Sequence, residues 1–408
     1  MTASGVDAQP IVKALSGADA TAAPLFGATE ARVRQRLVEV ATTTGADIPD
    51  LAVFYRVAVA DGPRDGLAEE LRSLEGVAAA YVKPPAEPPV LEETLNSMVP
   101  RDEAAPPVSP DFTARQLYLE ASPGGVDARF AWTLPGGQGA GVGIIDVEGA
   151  WRFDHEDLLA NQGGTAGTQS TDLSWRNHGT AVTGEFGGDV GAFGVTGICP
   201  DANIRGFSIF GGTGSAGAIR TAADALAPGD IVLIELHRPG PDASGSGQDG
   251  FIAVEWWEDD FAAIRYAVAR GVVVVEAAGN GFRNLDAAVF NTPQAGFPAG
   301  WTNPFNRANR DSGAIVVGAG APPSGTHGRD HGPDRSRLDF SNHGSMLDAQ
   351  GWGREVTTAG YGDLQGGGDE KIWYTDTFSG TSSASPIVVG ALGCIQGVRR
   401  ARGQAPLT

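Results

Sequence analysis

Short apolar runs recur along the later two-thirds of the chain, at 141–147, 204–210, 231–236, 272–276 and 314–318. Between them, 216–227 and 261–269 carry small and apolar residues at helical spacing. Strands that are apolar throughout are buried on both faces. Their alternation with helices predicts a three-layer α/β domain with a mainly parallel sheet. The first part of the chain reads differently. A helix is predicted over 31–41. Val53, Tyr55, Val57 and Val59 alternate in a strand-like stretch, Leu67, Leu71 and Leu74 mark a helix within 65–75, and 77–82 reads as another strand.

That small β-α-β piece runs into Pro84, Pro85, Pro88 and Pro89, then Pro100, Pro106, Pro107 and Pro110. Proline removes a backbone donor and restricts the residue before it, so the run interrupts regular structure. The expected division is an Ala-rich extension at 1–50, a small α+β unit at 51–85, a Pro-rich acidic linker at 86–112 and the large α/β domain at 113–408.

Composition narrows the partners. A net charge of −20 and a pI near 4.6 argue against nucleic acid and anionic membrane. Positive charge comes almost wholly from Arg, because Lys occurs only as Lys13, Lys83 and Lys371. Cys199 and Cys394 are far apart and imply no disulfide framework. No apolar run approaches the ~18 residues that cross a bilayer. The N-terminus lacks a basic start followed by an apolar core, so the sequence as written is expected in the cytoplasm, with export by another route open.

Four polar residues stand at the ends of predicted elements. Asp146 ends an apolar run, and His178 opens a helical stretch in Asn177-His178-Gly179-Thr180. Asn280 follows another run in Ala277-Ala278-Gly279-Asn280. Ser382 sits between a Gly-containing turn and an apolar helix, in Gly380-Thr381-Ser382-Ser383-Ala384-Ser385-Pro386. Sites in open parallel sheets gather at the carboxyl ends of strands, where these four converge. Ser attacks, His moves the proton and Asp fixes the imidazole tautomer. An Asn amide and the free N–H groups of a helix start can hold an oxyanion.

With these motifs in this order, residues 116–402 resemble the subtilisin-like serine protease family, peptidase S8. The resemblance implies a serine endopeptidase acting through an acyl-enzyme on Ser382. His178 is its general base, Asp146 orients His178, and Asn280 with the Ser382 N–H holds the oxyanion. Polypeptide substrate would add as a strand beside Glu235, Leu236 and His237, with Ala278 and Gly279 on the facing side. The 51–85 unit resembles the inhibitory propeptide of such enzymes, an internal partner that blocks the cleft until the linker is cut. No cofactor is implied for the chemistry. Asp157, in His155-Glu156-Asp157-Leu158, matches a family position that helps bind structural calcium. Glu235 and Arg238 depart from the family pattern: they either select charged side chains beside the primary pocket or pair with each other. Residues 361–371 read as an exposed loop. Two alternatives keep the same residues: a peptide ligase or macrocyclase, and a latent peptide-binding module.

Overall fold

The computed structural model describes residues 7–91, 106 and 108–408. In the N-terminal unit, β1 (Thr21–Pro24) pairs antiparallel with β2 (Tyr55–Ala58). The helices Gln9–Gly17 and Arg64–Arg72 meet through Ala14, Leu15, Leu67 and Leu71. This corrects the division expected at residue 50. A lone strand at 55–58 would leave its backbone groups unpaired, and it finds its partner at 21–24. The predicted helix is present as Glu30–Thr44, started by the Thr29 hydroxyl and ended at Gly45 in the left-handed region. The strand expected at 77–82 is absent. Ala80 instead donates to Gly296 O (3.1 Å) in the large domain and accepts from Arg72 (3.0 Å). Most of the presumed linker, 92–105 and 107, lies outside the described residues, as do residues 1–6.

The large domain is built on β3 (Gly143–Glu148), β4 (Gln162–Ala166), β5 (Asn203–Ser208) and β6 (Ile231–Ile234). After a short hairpin of β7 (His237–Pro239) and β8 (Phe251–Ala253), the sheet continues with β9 (Val273–Ala277), β10 (Ile315–Gly320) and β11 (Ala349–Trp352). The order is β11-β10-β9-β6-β3-β5-β4, and every pairing is parallel. A second hairpin, β12 (Val356–Ala359) with β13 (Tyr374–Phe378), precedes the last helix.

Period-two alternation divides the core between the two faces of the sheet. Ile145, Val147, Val232, Ile234 and Val274 pack under the helices Gly214–Asp224 and Glu258–Ala269. Ile144, Ile231, Leu233, Val273 and Val275 pack under Leu173–Gly187 and Thr381–Ala401. The last helix is long and apolar enough to cross a membrane by length and composition, but it is mostly buried against this sheet. The 361–371 stretch is not the exposed loop expected. Tyr361 is fully buried beside Phe378, and Gln365 pairs with Tyr374.

Candidate active site

Successive residues on a strand point to opposite faces, so Asp146 and Glu148 share one face of β3. Glu148 is the last residue of the strand, ~7 Å nearer its carboxyl end. His178, in the helix capped by Asp172, reaches that end and places Nδ1 2.8 Å from Glu148 Oε2. Asp146 does not touch the imidazole; its Oδ2 accepts from the Trp151 indole N–H at 2.7 Å. The expected Asp146–His178 pair is therefore corrected to Glu148–His178, because strand periodicity carries the longer carboxylate one rung further up.

All three groups are fully buried. Burial pushes both carboxyls up. The contact between them raises Asp146 further and works against the rise at Glu148, so of the two Glu148 is the more readily ionised. Burial pushes His178 down to about 3, so the imidazole is neutral. When Glu148 is ionised, Nδ1 carries the hydrogen. Nε2 is left as an acceptor, and it has no hydrogen-bond partner among the described residues.

Two further carboxyls lie nearby. Glu235 is fully buried, with Oε1 2.5 Å from Ser385 Oγ; burial and the neighbouring Asp146 carboxyl push it up, while the Ser385 and Ser382 hydroxyls act the other way. It neither faces solvent nor pairs with Arg238, whose guanidinium turns to Ser215 Oγ (2.6 Å) and Asp260 (3.6 Å). Glu185 is buried without a partner for either carboxyl oxygen and is likewise pushed up by burial.

The helix Thr381–Ala401 sorts its serines. Ser383 Oγ bonds the Trp352 carbonyl (2.9 Å) and Ser385 bonds Glu235, whereas Ser382 Oγ points into the cleft. Pro386 lies in the second turn, not the first, and its missing N–H leaves the Ser382 carbonyl without its usual i+4 donor. Gly380, at φ 113°, is required here: a methyl would collide with the Pro89 carbonyl oxygen and come within 3.1 Å of Asn280 Nδ2. Asn280 is fixed through Oδ1, which accepts from Thr381 N–H (2.9 Å) and Oγ1 (3.0 Å). Its Nδ2 donates to Gln248 Oε1 at 3.2 Å.

What fills the cleft is the chain's own 84–91 segment. Glu87 exchanges both backbone hydrogen bonds with His237 at 3.1 Å, an antiparallel bridge to β7. Gln248 donates to Pro88 O (2.9 Å), and Ser382 Oγ donates to Pro89 O at 2.7 Å. Of the residues expected to bind substrate, His237 touches this segment through its backbone, and Leu236 shares an apolar cluster with Ala86. The His237 ring is buried against Phe251, and its Nδ1 accepts from Asn280 N–H at 3.3 Å. Ala278 and Gly279 lie beneath, bonded to Val317, Thr381 and Asn342. Gln248 carries no motif that marks it and becomes visible only once the path of the segment is known; Arg238, noted in the sequence as a departure from the family pattern, donates to Pro84 O of that segment.

The calcium expectation at Asp157 fails on its donors. Oδ2 accepts from Val195 N–H (2.6 Å) and the Tyr374 hydroxyl (3.0 Å), and both oxygens of Asp189 accept backbone N–H groups. Asp157 Oδ1 remains buried and unpartnered, but a calcium ion asks for about six to eight oxygens. Burial pushes Asp157 up to about 7. Among the described residues no group of three His, Cys, Asp or Glu side chains is arranged to hold a metal.

Comparison with known proteins adds a family. The model described as the subtilase family, Peptidase_S8, matches residues 153–403, which begins just past the β3 carboxylates. The chain is similar to alkaline elastase YaB of Bacillus sp. (strain YaB), 27% identical over 265 residues, 64% of this chain and 55% of that protein. It is also similar to an extracellular serine proteinase of Thermus sp. (strain Rt41A), 27% identical over 271 residues, 65% of this chain and 52% of that one. The chain spans about half the length of these curated relatives. The solved structure of a cold-adapted subtilisin-like serine proteinase aligns at a TM-score of 0.44 and 20% identity, over 66% of this chain and 78% of that one.

Proposed function

The chain belongs to the subtilase family, and from that premise we propose that it is a serine endopeptidase held inactive by its own residues 84–91. Ser382 Oγ attacks the carbonyl carbon of a peptide laid along β7 and passes its proton to His178 Nε2. Glu148, through His178 Nδ1–H, fixes the tautomer and stabilises the imidazolium, the part Asp plays in the general triad. Asp146, bonded to the Trp151 indole and raised by burial and by its contact with Glu148, holds the proton and favours the charge on Glu148. The oxyanion is held by the Ser382 N–H and by Asn280 Nδ2, which leaves Gln248 to do so. Collapse breaks the C–N bond and the amine takes the proton from Nε2; water, deprotonated by the same nitrogen, then releases the acyl group.

One observation carries this reading: Ser382 Oγ rests on the Pro89 carbonyl of a segment bound as an added strand. The hydroxyl faces the carbonyl oxygen and not His178 Nε2, which is a resting arrangement. The test is incubation with casein and a fluorophosphonate, beside Ser382→Ala. Labelling and cleavage, both lost in the variant, are expected. Labelling without cleavage points to a ligase or a latent binder, and no labelling of chain already cut within 84–111 overturns the serine-hydrolase reading. Mass spectrometry of the same sample reads whether the chain is cut within 84–111.

A further inference from the structure

The 81–90 segment follows one continuous track, and its upstream end rests on an acidic site. Tyr81 OH donates to Asp259 (3.0 Å), Gln294 Nε2 donates to Val82 O (3.2 Å), and Arg238 donates to Pro84 O. Between them Lys83 Nζ lies 2.7 Å from Asp259 Oδ2 and 2.6 Å from Asp260 Oδ2. Both Asp residues are buried at the start of the Glu258–Ala269 helix, and Asp260 also accepts from Ser215 Oγ at 2.5 Å. Burial opposes ionisation of Asp259, but Lys83 and Arg238 outweigh it and hold that carboxyl low. Lys83 is one of only three Lys in a chain that otherwise uses Arg. It sits six residues before Pro89, whose carbonyl meets the nucleophile.

We propose that Asp259 and Asp260 form a remote substrate subsite for a cationic side chain, occupied in cis by Lys83 and available to a substrate's Lys or Arg six residues upstream of the scissile carbonyl. Once the N-terminal unit leaves, the cation that remains beside the pair among the described residues is Arg238, at 3.6 Å from Asp260. Two adjacent carboxylates losing their cation are strained by mutual repulsion, which an incoming ammonium or guanidinium relieves. This inference rests on reading 84–91 as a substrate-like occupant.

The test uses the processed enzyme and peptides with the sequence of residues 79–92, carrying Lys, Gln or Glu at the position of Lys83. Lys is expected to exceed Gln by about tenfold in kcat/KM, chiefly through KM, with Glu lower still. The difference should vanish in Asp259→Asn/Asp260→Asn. Equal values for the three peptides overturn the proposal. If fluorophosphonate labelling fails, the hydrolase reading falls by itself, and the subsite is read by binding of the same fluorescent peptides to the full chain carrying Ser382→Ala and Lys83→Gln. There, tenfold tighter binding of the Lys peptide supports the subsite, and equal binding overturns it.

Discussion

Glu148 bonds the His178 imidazole while Asp146, two residues earlier on the same strand face, bonds the Trp151 indole. In the proposed mechanism Glu148 carries the charge and Asp146 holds the proton. Glu148→Gln is expected to lower kcat by ~10⁴-fold, the cost of the wrong imidazole tautomer. Asp146→Asn keeps a donor for Glu148 and should cost at least tenfold less on the same scale. Steady-state kinetics of the two variants with one peptide decides the assignment. The reverse ranking would return the role to Asp146.

Self-cleavage should persist in acid. The working form of His178 is the neutral imidazole, so activity is lost as pH falls through its pKa. An ordinary His, near 6.5, would be ~99% protonated at pH 4.5. With the segment seated, burial holds His178 down to about 3, and the base form survives there. Single-turnover cutting of the full chain, followed by mass spectrometry from pH 4 to 8, should therefore fall far less than tenfold per unit below 6.5. Hydrolysis of added peptide by the processed enzyme, whose imidazole is open to water, should show its acid limb closer to 6.5.

Asn280 is braced by two bonds from Thr381 to its carbonyl oxygen, so its amide nitrogen is aimed before substrate arrives. Asn280→Ala is expected to reduce kcat by ~10²- to 10³-fold with little change in KM, since the bond strengthens as charge develops. A loss confined to KM would mean that Asn280 only positions the ground state.

Stability should be indifferent to calcium. The Tyr374 hydroxyl and Val195 N–H occupy Asp157 Oδ2, backbone N–H groups occupy both Asp189 oxygens, and Oδ1 alone falls far short of the ~6–8 oxygens calcium takes. Thermal melts of the Ser382→Ala chain should coincide with and without a chelator. Tyr374→Phe should cost ~0.5–1.5 kcal/mol, the loss of one hydrogen bond to an oxygen that keeps the Val195 N–H, and added calcium should not restore it. A chelator-induced drop in Tm of the unmodified chain would refute this account.

The sequence made the middle of the sheet legible and left its margins obscure. β3, β5, β6, β9 and β10 are flanked on both sides and apolar on both faces, so continuous runs announce them. The edge strands, Gln162–Ala166 and Ala349–Trp352, carry Gly and Gln and give no such signal. Ser382 stood out because a helix start after a small-residue turn has its own chemistry; His178, read as opening its helix, lies five residues inside Leu173–Gly187. Glu148 did not stand out, because it lies one residue past the apolar run at 141–147, where the strand still goes on. The Pro-rich stretch looked like a linker, since Pro cannot donate. Yet a strand bound along one edge needs few donors, and Glu87, lying between Pro85 and Pro88, supplies the N–H that meets His237.

Val90, just past the carbonyl that meets Ser382, is buried in the same apolar cluster as Ile144, Val182 and Phe378. A cut at Pro89 separates the covalent chain but leaves this side chain plugged into the interior. The new N-terminus would then be tethered by its own first residue, and clearing the cleft becomes a slower second event. Activation would show a lag after cleavage is complete, with its length set by how firmly that one isopropyl group is held.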